Sequence, residues 1–343
     1  IEDKEEKGEA LLFCLLAVGF ILFKNVLVMG LSRFQNYFLL SLYKRLSFSL
    51  FSSYYHRESN GKVSLVHLFE TPEKIVAINK LKIDDLAYLI CRGGWPFACG
   101  LQGEAALEQA FDYVDAVIKK DVSRVDGVNR NATTTRLLLR SYARNQGSQA
   151  TIGTIVADMM TNDENEISAK TAGSYLEALR KIFVIEDSEA WNPNLRSKTA
   201  IRTANTRYFI DPSIGTAVLG LGPKDLINDL NTMGLFFETL CIRDLRVFAD
   251  ALDGEVYHYR DKNGLECDAV VHLRNGAYGL IEIKLGGEKL IEDGAKTLTA
   301  LTNIIDTSRM KAPAFCMVLT GVGDFAYRRT DGVYVVPIGC LKD

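Results

Sequence analysis

The C-terminal part of the chain carries the sequence pattern that most limits its fold. Its periodicities predict a long helix, three strands, a helix and a strand in succession. These elements are predicted at residues 226–252, 255–259, 266–273, 277–284, 289–305 and 314–319, with a last strand at 332–337. Helices alternating with a short run of strands in this order predict a small α/β domain over residues 206–343.

The second and third of these strands are predicted to form a hairpin whose loop, residues 274–276, ends in glycine. A three-residue loop with glycine in the left-handed conformation is a common connection between antiparallel strands. With that loop, Asp268 lies directly opposite Glu282. A two-residue turn would instead place Asp268 opposite Ile283, so the register decides whether two carboxylates meet.

Lys284 lies two positions after Glu282 and therefore shares its face of the strand. Facing carboxylates destabilise a sheet unless a positive charge lies between them. A divalent cation meets that requirement, because Mg²⁺ prefers oxygen ligands and commonly takes one or two carboxylates, with water and phosphate at the remaining positions. We therefore predict a Mg²⁺ site with Asp268 and Glu282 among its ligands.

Glu238 places a charge within the apolar stripe of the long helix, where it shares a face with Leu235 and Ile242. Buried acids normally require a partner. The cation site would supply one, which predicts Glu238 as a third metal ligand. The alternative is an ion pair with Arg243 or Arg246 on the same helix.

Residues 131–205 contain three helical patterns followed by a β-rich segment. The helices are predicted at residues 134–144, 152–160 and 168–182. That order predicts a winged helix-turn-helix, whose third helix would lie in the major groove of DNA with Lys170, Arg180 and Lys181 contacting phosphates. Nine basic residues stand against eight acidic ones here, a weak electrostatic footprint. A packing or protein-contact module is therefore the alternative.

Residues 58–130 are predicted to form a helical module. The helix at residues 83–92 ends at two glycines and is followed by Pro96, which prevents its resumption. A second helix is predicted over residues 105–122, where apolar residues recur at helical spacing. Such stripes are typical of a core, and we assign them no chemistry.

Two motifs in this module resemble a known family. GGWP at residues 93–96 and KKDVSRV at 119–125 resemble the helical lid of a bacterial and archaeal AAA-type ATPase family, in which a C-terminal domain of unknown function follows the ATPase. The resemblance extends over residues 60–343. The phosphate-binding motif GxxxxGK[ST] is missing from this sequence, so ATP is expected to bind the intact family proteins but not this chain.

The resemblance also implies a fold and a chemistry for the C-terminal domain. That domain is similar to the restriction-endonuclease-like fold of PD-(D/E)XK nucleases. The resemblance implies four catalytic residues at the matching positions, Glu238, Asp268, Glu282 and Lys284. Lys284 would then orient or activate the attacking water and stabilise charge on the phosphate. The implied fold class is multidomain α and α/β, with an AAA-type helical lid, a winged helix-turn-helix and a nuclease-like domain.

Two functions follow from these patterns. The leading interpretation is a DNA-associated, Mg²⁺-dependent nuclease. The alternative is a non-catalytic module that binds DNA or a protein partner, because one fold hosts unrelated functions.

The first 57 residues differ in composition from the rest. Residues 10–23 form an unbroken apolar run, which approaches the roughly 20 residues needed to cross a bilayer. No Asp or Glu occurs between Glu9 and Glu58, and the first residue is Ile. We interpret the segment as a fragment boundary or an out-of-frame translation. A membrane helix is the alternative, and the basic residues after it would place the following chain in the cytoplasm.

The cysteines and histidines indicate the cellular compartment and the metals to expect. Seven cysteines without a CxxC pair suit a reducing cytoplasm, and the four histidines show no spacing typical of zinc ligands. A chain of 343 residues is long enough for two or three compact domains. We expect a cytoplasmic protein divided at residues 1–57, 58–130, 131–205 and 206–343.

Overall fold

The computed structural model describes residues 63–71, 75–159, 167–193 and 203–342. The apolar segment at residues 10–23, with both of its interpretations, lies outside these ranges. Within them, no helix combines the length and the apolar character that a membrane span requires. The described residues form a mixture of helices and one large sheet.

The helices follow one another along the whole described chain. They are α1 (Leu65–Glu70), α2 (Ile83–Arg92), α3 (Pro96–Cys99), α4 (Gly103–Ala116), α5 (Val122–Arg124), α6 (Ala132–Arg144), α7 (Ile152–Met159), α8 (Ala169–Lys181), α9 (Pro212–Leu219), α10 (Pro223–Asn228), α11 (Leu230–Ala251) and α12 (Glu288–Ile304). A π-helical turn, Val117–Asp121, joins α4 to α5. The helix predicted over residues 226–252 is therefore interrupted, because Asp229 ends α10 and caps α11.

The strands are β1 (Val63–Ser64), β2 (Ala77–Ile78), β3 (Gly254–Arg260), β4 (Glu266–Leu273), β5 (Tyr278–Lys284), β6 (Phe315–Thr320), β7 (Phe325–Arg328), β8 (Tyr334–Pro337) and β9 (Leu341–Lys342). Seven of them form a sheet in the order β2-β7-β8-β6-β5-β4-β3. Its centre is parallel, from β5 through β6 to β8, and β3, β4 and β5 are antiparallel. The predicted order of helix, three strands, helix and strand is confirmed, while the short strand β7 was not predicted.

Helices cover both faces of this sheet. Alternate residues of a strand point to opposite faces, so Ile281 packs with α11 residues such as Phe237 in one buried cluster. Leu280 packs with Leu298 of α12 in another. Helix α2 also contributes to the cluster on the α11 side, through residues such as Leu86. The sheet thus lies between two helical layers.

A separate core lies in the segment that we call the middle module, defined as α6, the turn at residues 145–150, α7, α8 and the paired segments at residues 184–190 and 206–210. Buried residues such as Leu138, Ile155 and Leu176 form its cluster, to which α4 also contributes. The two segments run antiparallel, with bridges from Ile185 to Phe209 and from Ser188 to Thr206. Three helices followed by a β segment is the order predicted from the sequence, but the partner of that segment, at residues 206–210, lies beyond the predicted bound at residue 205.

The GGWP motif forms a contact between distant segments. Gly94 N donates to the Asp211 carboxylate over 2.9 Å, and the Trp95 indole N–H donates to Ser213 Oγ over 2.8 Å. Gly93 has φ +72°, and a Cβ at this position would lie 2.3 Å from Ser213 Oγ. The first glycine of the motif is therefore required both by its backbone conformation and by close packing. The motif ties the end of α2, at Arg92 as predicted, to the beginning of α9.

Candidate functional site

Three of the predicted site residues are in direct contact. The Lys284 ammonium lies 3.1 Å from Asp268 Oδ2 and 2.6 Å from Glu282 Oε2. The side chain of Glu282 is 5% exposed, whereas those of Asp268 and Lys284 are 21% and 24% exposed. We call these three residues together with Glu238 the acidic site, and Asp268 and Lys284 are the members of this contact that solvent reaches.

The hairpin register predicted from the sequence is confirmed. Leu273 N donates to Ala277 O over 2.8 Å across a three-residue loop, and Gly276 has φ +82°. The ladder continues to the pair Ala269 and Ile281, which places Asp268 level with Glu282. The alternative two-residue turn is wrong.

A one-residue shift in the neighbouring ladder occurs at the same point. Val270 pairs with Tyr257, but Cys267 pairs with Tyr259, so residues 268 and 269 of β4 lie opposite the single residue 258 of β3. Such bulges redirect side chains and often occur beside functional sites. The Asp268 carboxylate accepts the backbone N–H of Ile283 over 2.7 Å. Asp268 thus lies where β4 and β5 separate, within reach of groups on either side of the sheet.

Helix α12 passes close behind the site at Gly294. A Cβ at this position would lie 3.4 Å from Glu282 Cβ and 3.6 Å from Lys284 Cγ. Glycine inside a helix costs about 1 kcal/mol relative to alanine. The close approach of the helix to both site residues gives a physical reason for that cost.

Glu238 reaches the site from α11, on the other side of the sheet. Its Oε1 accepts the Tyr208 hydroxyl over 2.5 Å. The two arginines considered as alternative partners bind elsewhere, because Arg243 pairs with Asp211 over 2.7 Å and Arg246 stacks over the Tyr208 ring. The sequence predicted a cation site as the partner of Glu238, with Arg243 or Arg246 as the alternative. Neither arginine binds it, and the contact with the Tyr208 hydroxyl was not predicted.

The electrostatics of the acidic site show a shortage of positive charge. Burial, reinforced by the charge of Asp268, raises the pKa of Glu238 to about 8. Burial and Asp268 also raise the pKa of Glu282 to about 8, against the opposing effect of Lys284. Burial alone would lower the pKa of Lys284, but the two carboxylates beside it raise that pKa. One ammonium therefore serves three carboxyl groups that repel each other.

Raising the pH is expected to destabilise the protein through these carboxyls. Folding raises the pKa of Glu238 and of Glu282 from 4.5 to about 8. Each group binds its proton more tightly in the folded state, so its contribution to stability is fully present below about pH 4.5 and is lost as the pH rises through about 8. We expect the free energy of unfolding in urea to fall by at least about 2 kcal/mol between about pH 5 and pH 9.

A matched pair of variants checks the origin of this decline. Combining Glu238→Gln with Glu282→Gln should flatten the pH dependence, because both titrating groups are removed. Glu266→Gln should keep it, since that carboxyl on β4 is half exposed and pairs with Arg260. An unchanged slope in the double variant would contradict the assignment.

The donors of the acidic site fit an oxygen-preferring cation. All are carboxylate oxygens, and the Lys284 ammonium already places a positive charge between Asp268 and Glu282. Within the part of the chain that the structure describes, no group of three or more His, Cys, Asp or Glu side chains is arranged to hold a metal ion. Mg²⁺ commonly uses only one or two carboxylates. Asp268 and Glu282 fit that smaller set, provided that the Lys284 ammonium moves off their oxygens.

The three residues of α8 that were predicted to contact phosphates lie in different environments. Lys170 is exposed near the beginning of the helix, and Lys181 is exposed near its end, 3.9 Å from Glu177. The Arg180 guanidinium instead binds Asp187 over 2.6 Å. The structure therefore leaves the two lysines more accessible than the arginine, and their role in DNA binding remains a prediction.

Sequence reasoning missed three contributors to the acidic site. Tyr208, the turn at residues 145–150 and Gly294 each contact one of its members. The glycine inside a helical pattern was a signal that something approaches closely. Tyr208 and the turn lie 30 or more residues from Glu238 in sequence and carry no local signal.

Two protein-family models match successive parts of the chain. Residues 83–225 match the model of a domain of unknown function (DUF8612), and residues 233–341 match that of a domain of unknown function (DUF4143). The chain carries two uncharacterised domains. The second is often found in AAA-ATPase-like proteins and contains all four residues of the acidic site. No curated protein matches the chain.

Proposed function

We propose that this chain is the C-terminal portion of an AAA-type ATPase family protein without its nucleotide-binding core, and that residues 206–343 form a DNA-associated, Mg²⁺-dependent nuclease-like domain. The observation that carries the proposal is the contact of the Lys284 ammonium with both Asp268 and Glu282 at the point where β4 and β5 separate. The same geometry supports a PD-(D/E)XK assignment, with the aspartate and the ExK motif on adjacent strands.

The residues of the acidic site suit hydrolysis of a phosphodiester. Asp268 and Glu282 would hold the cation, with Glu238 supporting it from α11. When bound, Mg²⁺ would neutralise the carboxylates and polarise the phosphate. Displaced from its carboxylates, the Lys284 ammonium would donate to a phosphate oxygen or orient the attacking water, where its positive charge stabilises the charge that develops on the phosphate.

The N-terminal parts of the described chain support the remaining assignments. We assign residues 58–130 to the remnant of an AAA-type lid, on the GGWP and KKDVSRV motifs. We assign residues 131–205 to a winged helix, supported by three helices followed by antiparallel segments. Without a phosphate-binding motif in the sequence, the chain by itself would not hydrolyse ATP. The free cysteines of the described residues suit a reducing cytoplasm.

Incubation of the purified chain with linear and single-stranded DNA, with Mg²⁺ or Mn²⁺ and with a chelator, tests the proposal. We expect metal-dependent cleavage that falls at least about 100-fold in Asp268→Asn and in Lys284→Ala, because each removes a group that acts on the reacting phosphate. Glu266→Gln, which changes an exposed carboxyl on the same strand, should cleave like the wild type.

Equal residual cleavage in the wild type and in both site variants would exclude the enzyme. Retained DNA binding in those samples would then favour the non-catalytic binding module. Near-ultraviolet circular dichroism of each variant shows whether its fold is intact, so that a loss of cleavage is not confused with unfolding.

A further inference from the structure

Two parts of the middle module lie against Glu238. The Tyr208 hydroxyl donates to Glu238 Oε1 over 2.5 Å, and the tyrosine is 1% exposed. On another side, the turn at residues 145–150 brings Gly147 against the same carboxyl group. A Cβ at position 147 would lie 3.3 Å from Glu238 Oε2. The middle module therefore limits the positions that this carboxyl can take.

Gln146 anchors the turn beside the site. Its Oε1 accepts the Thr239 hydroxyl over 3.1 Å, at the residue that follows Glu238 on α11. Gly147 N donates to Arg207 O over 2.8 Å, next to Tyr208. The side chain of Gln146 is fully buried, and its amide nitrogen has no hydrogen-bond partner among the described residues. The turn is therefore held against α11 at Thr239 and against the segment that carries Tyr208.

Gly147 satisfies two constraints at once. Its φ is +67°, a conformation that other residues adopt only with strain. A Cβ at this position would lie 3.3 Å and 3.4 Å from the two carboxylate oxygens of Glu238, which is closer than ordinary van der Waals contact. An added methyl group would therefore require the carboxylate or the turn to shift by a few tenths of an ångström.

We propose that Tyr208 and the turn at residues 145–150 are positioning elements for Glu238, so that the acidic site is composite and binds its divalent cation tightly only with the middle module docked. The inference rests on the proposed function, in which Glu238 supports the cation. Tyr208 fixes the direction of the carboxyl through its hydroxyl, and Gly147 closes the space into which the carboxyl would otherwise turn. Neither residue touches the reacting phosphate.

Calorimetric titration of the full chain with Mn²⁺ measures this effect without any cleavage assay. Tyr208→Phe removes only the hydroxyl, and Gly147→Ala adds only a methyl group. We expect each variant to weaken Mn²⁺ affinity at least about fivefold, since a supporting carboxyl freed from its fixed position loses part of the advantage of preorganisation. Urea unfolding of the same samples shows that they are folded.

Each variant has a matched control in the chain. Tyr257→Phe also removes a hydroxyl that donates to a glutamate, Glu255, over 2.5 Å, but at an exposed position outside the site. Gly127→Ala introduces the same left-handed strain, at φ +74°, with nothing within 4 Å of the added atom. Both controls should bind Mn²⁺ like the wild type.

The outcomes separate this inference from the proposed function. Wild-type affinity in Tyr208→Phe and Gly147→Ala would overturn the inference and leave the metal site in place. Weakened binding in both variants, combined with no DNA cleavage by the wild type, would support the composite site and reject the nuclease. A wild type that binds no Mn²⁺ would overturn both the metal site and this inference. If one variant unfolds, the other decides.

Discussion

Replacing Lys284 with Met is expected to lower the free energy of unfolding at about pH 8 by about 3 kcal/mol. The change keeps much of the side-chain volume but removes the ammonium that lies 3.1 Å from Asp268 and 2.6 Å from Glu282. Without the ammonium, Asp268 loses its cation, and Glu282, whose pKa is about 8 even beside Lys284, must bind a proton. Breaking a buried ion pair typically costs 3–5 kcal/mol, and partial exposure of Lys284 reduces that figure here. Urea unfolding gives the value.

The expected loss depends on the carboxyl that is left behind. Adding Glu282→Gln to Lys284→Met should recover part of the stability, because it removes the more deeply buried of the two carboxyls and leaves only Asp268, which is 21% exposed, without the ammonium. Lys296→Met is the matched control, since its ammonium lies 3.4 Å from Glu292 and is 69% exposed. An exposed pair contributes about 0–1 kcal/mol. Equal losses at Lys284 and Lys296 would contradict a buried site.

The same variant distinguishes binding from chemistry. In the proposed site, a cation at Asp268 and Glu282 would compete with the Lys284 ammonium for the same oxygens. Lys284→Met should therefore gain more stability from added Mn²⁺ than the wild type does, through preferential binding to the folded state, although it cleaves no DNA. A variant without cleavage that binds the cation as well or better would assign Lys284 to the phosphate rather than to metal binding.

The hairpin of the acidic site could be predicted because its determinants are local. The loop ending in Gly276 sets the register, and strand alternation then places Asp268 level with Glu282. The end of α2 could be predicted for the same reason, since Gly93 and Pro96 directly follow the helix and end it. Each prediction depended on residues close together in sequence.

Other elements were missed although local signals were present. Asp211 and Pro212 form a helix beginning of a common kind, with the aspartate side chain accepting the Ser213 N–H, yet α9 was not predicted. Asp229 likewise caps α11 and separates it from α10. In both places an apolar stretch obscured the N-cap signal.

The rest of the acidic site depends on contacts that no local pattern encodes. The bulge at Asp268 contains no glycine, and it follows from how β3 and β5 pair with β4 on its two sides. Tyr208 and Gly147 contact Glu238 because the middle module packs against α11. A single sequence predicts which residues carry charge in this site, but not which neighbours hold them.

Asp187 is expected to be the residue on which the charged core of the middle module depends. Its carboxylate, 5% exposed, accepts the Tyr142 hydroxyl and binds Arg180 and Arg207 over 2.6 Å each. Asp187→Ala would leave two arginines without their carboxylate, and the Tyr142 hydroxyl with only the Tyr208 backbone oxygen at 3.2 Å as its acceptor. We expect a loss of about 3–4 kcal/mol in the free energy of unfolding, measured with urea. A loss below about 1 kcal/mol would contradict the structure of this cluster.

Asp115→Ala is the matched control, because Asp115 also binds two cations, Lys119 and Arg136, but is 45% exposed. It should cost less than about 1 kcal/mol. The comparison also determines how DNA-binding data should be interpreted. Since Arg180 belongs to the Asp187 cluster, a weaker affinity in Arg180→Ala would reflect disturbed packing as much as a lost phosphate contact. Lys170 and Lys181 are exposed and lie outside that cluster, so substitutions there test the DNA surface directly.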